Sequence, residues 1–339
     1  MADGAVPPYR APRPASGDLI RWPATFGNRF IVFVDVEEEF DWSAPPDPRN
    51  RSVSAMHALP AAHARFAERG IGLMCMVDHP VASDPAAVDI LKAITADGRS
   101  SIGAQLHPWV TPPYAAPQPG DSYAGNLPPA LEAAKLDALT DLLRDTFGTP
   151  PLAYRAGRYG IGPATAAMLA ARGYRVDASV RARYDYSADG GPDFTAIGSV
   201  AYRMGSLIEV PLTTIFTGRL RRAGPMFHPL LGRVSHARGL FARSGLLQRI
   251  ALTPEDMPID DALEAVRIAI GEGEQQLLSF SFHSPSLEPG HTPYVRRASD
   301  LAEFWAWWER MFTCLDRLKV APVGIDALLA AADAPRSAM

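Results

Sequence analysis

The sequence predicts an α/β fold built on a parallel sheet that curls towards a barrel, and three features carry that expectation. Short apolar runs alternate with longer amphipathic stretches along most of the chain, as strands and helices do in parallel sheets. Glycines stand where several of the amphipathic stretches end, as helix stops do. Polar clusters fall at the downstream ends of the apolar runs, where a barrel collects its reactive side chains, and about seven strand–helix units suit closure better than a small open sheet.

Phe30, Ile31, Val32, Phe33 and Val34 form the first run and lead straight into Asp35, Val36, Glu37, Glu38, Glu39, Phe40, Asp41 and Trp42. Alternation along an extended strand places Asp35, Glu37 and Glu39 on one face, so that two carboxylates can point into one pocket. Such close like charges repel unless a proton or a cation is shared between them. A solvated acidic loop is the plainer reading. Residues 53–69 read as a helix stopped by Gly70, 71–77 as a strand, and 84–96 as a helix with an acidic first turn. Asp97 and Gly98 close that helix before a strand over 101–106. A long amphipathic helix over 129–147 ends at Gly148, 152–154 is a strand, and 163–171 is a helix stopped by Gly173. Residues 174–178, 207–212 and 277–282 read as further strands, and about 299–319 as the closing helix.

The chain has 339 residues with 47% hydrophobic side chains, enough to bury one large core. One domain is expected over 29–335. It follows an arm, 1–28, that is either flexible or wrapped on the body through Leu19, Ile20, Trp22 and Phe26. A formal net charge of −4 offers no global basic field to nucleic acid. Cys75 and Cys314 match no CxxC pattern, which argues against a cysteine zinc site and leaves both as buried thiols. No transmembrane segment or secretory leader is indicated, and the expected location is cytoplasmic. An insertion at about 214–256 breaks the rhythm. No acidic residue occurs from Pro211 through Pro254, while Arg219, Arg221, Arg222, Arg233, Arg238, Arg243 and Arg249 accumulate with His228 and His236. A lid, an interface, a surface for an anionic group, and a plain helical excursion with Leu240, Phe241, Leu246, Leu247 and Ile250 on its apolar side are the readings.

The candidate site residues stand mostly at strand ends. His107 lies in Gln105-Leu106-His107-Pro108-Trp109, where proline ends the strand and fixes the loop. His283 follows the run Ser279-Phe280-Ser281-Phe282 and can serve as a general acid or base. Arg155 and Arg158 flank Ala156-Gly157, and an arginine at a strand end can orient a carboxylate and lower its pKa. Asp177 ends the next strand, either supporting Arg155 or capping a turn with Ser179. His79 is a candidate for the mouth of the site, and His57 and His63 fall on a helix at the core's edge or in solvent. The group Phe304, Trp305, Trp307 and Trp308 reads as packing on a helix rather than a sugar platform.

The order of these motifs resembles the NodB-type polysaccharide deacetylases of carbohydrate esterase family 4, and is most similar to their WalW-like branch. It comprises the acidic first strand, the histidine after a Ser101-Ile102-Gly103 strand, Tyr154-Arg155-Ala156-Gly157-Arg158-Tyr159-Gly160, Asp177-Ala178-Ser179 and Phe282-His283-Ser284-Pro285-Ser286-Leu287. The likeness spans about residues 30–330. It implies a distorted (β/α)7 barrel and hydrolysis of an N-acetyl group on a glycan or glycan precursor, assisted by a divalent metal cation (zinc, manganese or magnesium). By the same resemblance Asp35 is the catalytic base, Arg155 tunes it, and His283 is the general acid. His107 is a metal ligand, and Glu37 or Glu38 matches the second, metal-binding acid; side-chain alternation selects Glu37. Trp109, Tyr159 and Asp177 are the candidate substrate contacts. The expected partner is an N-acetylated carbohydrate, anionic or lipid-linked in one version.

One departure matters. Gln105 stands where metal-binding relatives carry a histidine, so either the site has lost its metal or the Gln105 amide oxygen completes an oxygen-rich ligand set. Two other functions therefore compete with the hydrolase. One is a carbohydrate-binding or regulatory homologue without metal. The other is a glycosidase that uses two of Asp35, Glu37 and Glu39.

Overall fold

Along the first strand, β1 (Arg29–Val36), the side chains divide between two cores. Phe30, Val32 and Val34 face outward into the layer between sheet and helices, whereas Ile31 and Phe33 face inward with Met74, Met76, Ala153, Val176 and Leu277. Asp35 continues the inward set, which is why its carboxylate enters the interior of the curled sheet. The computed structural model describes residues 8–273 and 275–334.

After β1 come α1 (Leu59–Ala67), β2 (Leu73–Val77), α2 (His79–Ser83), α3 (Pro85–Thr95), β3 (Ser101–Leu106), α4 (Pro129–Phe147), β4 (Ala153–Ala156) and α5 (Thr165–Ala171). Then follow β5 (Val176–Asp177), β6 (Tyr202–Met204), β7 (Leu207–Glu209), β8 (Thr214–Thr217), α6 (Gly224–Leu231), α7 (Ala237–Arg243), β9 (Gln248–Ala251) and α8 (Ile259–Gly271). The chain closes with β10 (Leu277–His283), α9 (Ala298–Arg317), β11 (Ala321–Pro322) and α10 (Ile325–Asp333). The main sheet runs β10-β1-β2-β3-β4-β5-β7 with neighbours parallel; β6 adds antiparallel to β7, and β11 pairs with the start of β1.

The expected α/β class holds, with a curled parallel sheet. Its seam, between β7 and β10, has no strand ladder among the described residues. Single backbone bonds bridge it: Thr213 N donates to Ser279 O, Leu252 N to Thr213 O and Ser281 N to Leu252 O. Regular alternation lapses after β5, because loops and the β6–β7 hairpin stand where a repeated βα unit would need a helix. Strand 207–212 was expected whole, but pairing stops at Glu209 and the chain turns into the seam. The insertion is no simple helical excursion either. It is the antiparallel pair β8–β9 carrying α6 and α7 at its tip, and Ile250 is buried on a strand while Leu240 is exposed.

The boundaries of the helices follow local chemistry. Asp84 accepts from Ala87 N at the start of α3, with Pro85 preset for the first turn. Gly148 adopts a left-handed φ of 79° and sends its N–H to Arg144 O, ending α4. On α9, Phe304, Trp307 and Trp308 are buried, Trp308 against Phe66, Phe280, Phe282 and Phe312, so this aromatic group is packing. Cys75 and Cys314 are buried, free thiols.

Residues 8–28 lie on the body beside the β6–β7 edge. Asp193 N donates to Tyr9 O, Ile20 N to Ala201 O and Arg203 N to Asp18 O, while Ile20 and Phe26 are buried. Residues 1–7 of the expected arm, and Pro335 at the end of the expected domain, lie outside the described residues.

Asp177 does not reach the interior. Val176 and Ala178 take the inward positions on that segment, so Asp177 faces the other way, in register with Tyr154 and Glu209. Its Oδ1 accepts from the N–H and hydroxyl of Ser179, the turn-capping role. Burial pushes Asp177 up to about 6, against those hydrogen bonds, and raises Glu209 well above the carboxylate range, with the charge of Asp177 adding to it. Both folded-state values lie above the unfolded ones, so the native state keeps protons that the unfolded chain releases. This contribution to stability therefore declines as pH rises above about 4. Glu209→Gln mimics the protonated form; its melting temperature relative to the parent should be more favourable at pH 8 than at pH 5, and an equal change at both would refute the assignment.

Candidate active site

At the mouth of the curled sheet, inward residues from β1, β3, β4 and β10 meet in a cleft of about 810 Å³. Asp35, Glu37, Gln105, His107, Trp109, Arg155, Tyr159 and His283 all line it. Of the nine residues given catalytic, metal-binding or substrate-binding roles from sequence, Asp177 alone is missing, for the reason of strand parity given above. His79 does not line it either: Asp78 caps α2, and His79 bonds to Ser83 within that helix.

The centre is a buried ion pair. Arg155 Nη1 donates to Asp35 Oδ1 at 2.6 Å and to Ser281 Oγ at 2.5 Å, while its Nε donates to Ala178 O at 3.0 Å. Its guanidinium lies 4.9 Å from the Phe33 ring centroid. The bonds to Ala178 and Ser281 hold the cation between strands, so Asp35 meets a fixed charge and not a flexible one. The other carboxylate oxygen of Asp35 faces His283 Nε2 at 3.6 Å.

His283 is held from behind by Glu255, which accepts from His283 Nδ1 at 2.7 Å and from its backbone N–H at 3.0 Å. Ser286 Oγ donates to the same carboxylate at 2.6 Å. Burial works to lower the histidine's pKa, but Glu255, Glu37 and Asp35 outweigh it and push it up to about 10. The ring is thus a cation whose Nε2–H points at Asp35 and the cleft.

A second relay supports His107. Its Nδ1 donates to Glu38 Oε2 at 2.7 Å, and Trp109 Nε1 donates to Glu38 Oε1 at 2.6 Å. Glu38 N in turn donates to Asp78 Oδ2 at 2.8 Å. With Nδ1 committed to Glu38, Nε2 turns to the cleft, 3.5 Å from Glu37 Oε2. Gln105 Nε2 donates to that same Glu37 oxygen at 3.0 Å. Burial, reinforced by Asp35 and Glu38 and opposed by the two histidines, pushes Glu37 up to about 8.

Buried atoms without partners mark where a cation fits. Glu37 Oε1 and Gln105 Oε1 are both buried and unbonded, and His107 Nε2 faces the same space. One ligand atom each from Asp35, Glu37 and His283 also lies within 4.8 Å of the others. A carboxylate, an imidazole with a carboxylate behind it and an amide oxygen form a mixed, oxygen-rich donor set for a divalent ion.

Alternation holds for Asp35 and Glu37 but not for Glu39. The strand ends at Val36, and Glu39 turns away to accept from Ser52, Ser54 and the N–H of Ala55. Aromatic rings wall the cleft: Trp109 stacks on His107 at 4.3 Å, Trp42 meets His283 edge-on at 5.0 Å, and Phe40 stacks on Trp42. Tyr159 stacks on Tyr186, and with Arg158 it adopts left-handed φ values of 59° and 54°. That strained turn is made next to Gly157, where a Cβ would come within 2.2 Å of the His107 ring.

Sequence reasoning missed Glu255, Ser281, Asp78 and the role of Glu38 behind His107. Glu255 carried one signal, being the first acid after the long acid-free stretch and close behind an apolar strand. Its pairing with His283, 28 residues on, depends on the seam, which no local pattern encodes.

No protein-family model matches the sequence, and no curated protein matches it. Solved structures share its fold. One from Mycobacterium smegmatis, described as a polysaccharide deacetylase, has 16% identity and a TM-score of 0.51, covering 96% of this chain and 98% of that one. The Puue allantoinase has 15% identity and a TM-score of 0.52 over 97% and 96% of the two chains. A protein from Parabacteroides distasonis described as a glycoside hydrolase/deacetylase has 11% identity and a TM-score of 0.53 over 90% and 71%.

Two substitutions probe this geometry. Arg155→Met should cost about 3–5 kcal/mol in urea unfolding, because it strands a buried carboxylate, and adding Asp35→Asn should recover part of the loss. Gly157→Ala should cost about 1–3 kcal/mol and displace His107; an unshifted His107 ring resonance would contradict the close approach.

Proposed function

We propose that this chain is a metal-assisted hydrolase of the polysaccharide-deacetylase type, cleaving the N-acetyl group from a glycan or glycan precursor. The observation that carries this reading is the opposed pair in one cleft: a carboxylate fixed by Arg155 and, 3.6 Å away, a cationic histidine fixed by Glu255. One is built to accept a proton and the other to give one.

Asp35, fixed in place by Arg155, takes the proton of a water that attacks the acetyl carbon. His283 then delivers its Nε2 proton to the amine nitrogen as the carbon–nitrogen bond breaks, leaving acetate and a free amine. Glu255 keeps the ring oriented and stabilises its cation throughout. Glu37, His107 and the oxygen of Gln105 are the residues that would hold the divalent cation, whose chemistry is Lewis-acid polarisation of the acetyl carbonyl. Zinc, manganese and magnesium are the candidates.

The aromatic walls formed by Trp42, Trp109 and Tyr294 suit the apolar faces of sugar rings. Arg158 and Arg181 also line the cleft, and Arg181 Nε is buried without a partner. Both support an anionic group on the substrate, in a chain whose proposed setting is the cytoplasm. The NodB-type family and its WalW-like branch are the proposed affiliation.

One observation favours a second reading. The hydrogen bond from Gln105 to Glu37 occupies ligand space, as it would in a carbohydrate-binding homologue without metal. The glycosidase reading is narrowed to the pair Asp35 and Glu37, since Glu39 has left the cleft.

Acetate release from N-acetylated oligosaccharides supplied with metal decides among them. The expected result is release abolished by chelator and reduced about 10²–10⁴-fold by Asp35→Asn or His283→Gln. Sugar binding without turnover, unchanged by chelator, would establish the binding protein, and new reducing ends without acetate the glycosidase. Gln105→His should tighten metal binding measured by calorimetry while leaving sugar binding in place.

A further inference from the structure

The insertion that breaks the sheet's rhythm carries six of the seven large hydrophobic side chains left exposed on the described residues. Large hydrophobic side chains left exposed are Leu220, Met226, Phe227, Leu230, Val234 and Leu240, all on this lobe, and elsewhere Tyr114. Met226, Val234 and Leu240 are each about 60% exposed: 60%, 63% and 61%. Monomers scatter such residues singly; a cluster marks a contact.

The same lobe is uniformly cationic. Between Glu209 and Glu255 the chain carries seven arginines and no acid, while the whole protein has a net charge of −4. Arg221 pairs with Glu272, and Arg249 lies over the Tyr184 ring and donates to Arg183 O. Arg219, Arg222, Arg233, Arg238 and Arg243 are exposed, and among the described residues none of them forms an ion pair with an acid. Arg238 braces α7 on α6 by donating to His228 O, and buried His228 packs against Phe216 of β8, so the apolar and cationic side chains are held in one structured lobe.

We propose that the α6–α7 lobe is a docking surface for a bilayer containing anionic phospholipid, with the arginines at the headgroups and Met226, Phe227, Leu230, Val234 and Leu240 entering the interface. Charge complementarity selects this occupant. A second copy would set one acid-free arginine cluster against another in a twofold contact. A nucleic acid would satisfy the arginines but leave the apolar side chains unused. A bilayer interface takes both at once, as it does for cationic amphipathic segments. No described helix is long and apolar enough to cross a membrane, so the attachment is peripheral. This inference stands independently of the reading of the cleft.

Vesicle co-sedimentation of the full chain tests it, comparing phosphatidylcholine alone with phosphatidylcholine containing about 30% phosphatidylglycerol. The expected result is partition onto the anionic vesicles only, weakened by salt. A triple variant Arg222→Gln, Arg233→Gln, Arg243→Gln should lower the partition coefficient about 100-fold at low salt. Met226→Ser, Leu230→Ser, Val234→Ser should lower it as well, with circular dichroism unchanged in both. Equal binding to neutral vesicles, or loss in only one variant, would overturn the proposal. So would no vesicle binding, whether accompanied by DNA binding that survives the serine changes or by self-association that the serine changes abolish.

Discussion

An ion pair buried inside a curled sheet is the constraint on which the rest of this structure depends. Asp35 and Arg155 are 3% and 1% exposed, so each relies on the other and on protein groups in place of water. Breaking such a pair from one side costs far more than forming it yields, and the surroundings must therefore keep it intact. Serines and small residues supply the room. Ser281 and the carbonyl of Ala178 accept from Nη1 and Nε, Nη2 is buried without a partner, and Phe33 covers one face. The pair ties β4 to β1, and the bond to Ser281 ties both to β10, above the apolar core.

From that pair the division of labour in the cleft follows. Arg155 bonds one neighbour, Asp35, and Glu255 holds the other, His283, whose pKa is pushed up to about 10, so a carboxylate and a proton-retaining imidazole face each other across 3.6 Å. Glu38 does for His107 what Glu255 does for His283, with a carboxylate on Nδ1 presenting Nε2 to the cleft. The two histidines share a carboxylate on Nδ1 and differ in what Nε2 faces. His283 looks at Asp35, whereas His107 looks at the unsatisfied oxygens of Glu37 and Gln105. The fold shared with solved structures fixes no chemistry by itself, and it is the side chains that carry the functional reading.

Much of this was legible in the sequence where the signal is local. The inward parity of Asp35 and Glu37, the strand-end histidines and the bounds of α4 follow from alternation, proline and glycine placement. Parity failed in two places for identifiable reasons. Glu39 lies beyond the last paired residue of β1 and is claimed by the turn at Ser52–Ala55. Asp177 sits on a strand of two paired residues, too short to show its inward neighbours. Long-range partners such as Glu255 and Ser281 were not legible, because the seam that delivers them is held by isolated backbone bonds and not by a strand with its own pattern. The β8–β9 pair was likewise hidden by the arginine-rich tip it carries.

The central claim is that this cleft adds water across an amide of an N-acetylated sugar. Its most direct test is mass spectrometry of the products formed from an N-acetylated oligosaccharide in ¹⁸O-enriched water with a divalent metal present. The account predicts acetate carrying one atom of solvent oxygen together with an equal amount of free amino sugar. Solvent oxygen appearing instead at a newly exposed anomeric carbon, with the acetyl group still in place, would contradict it.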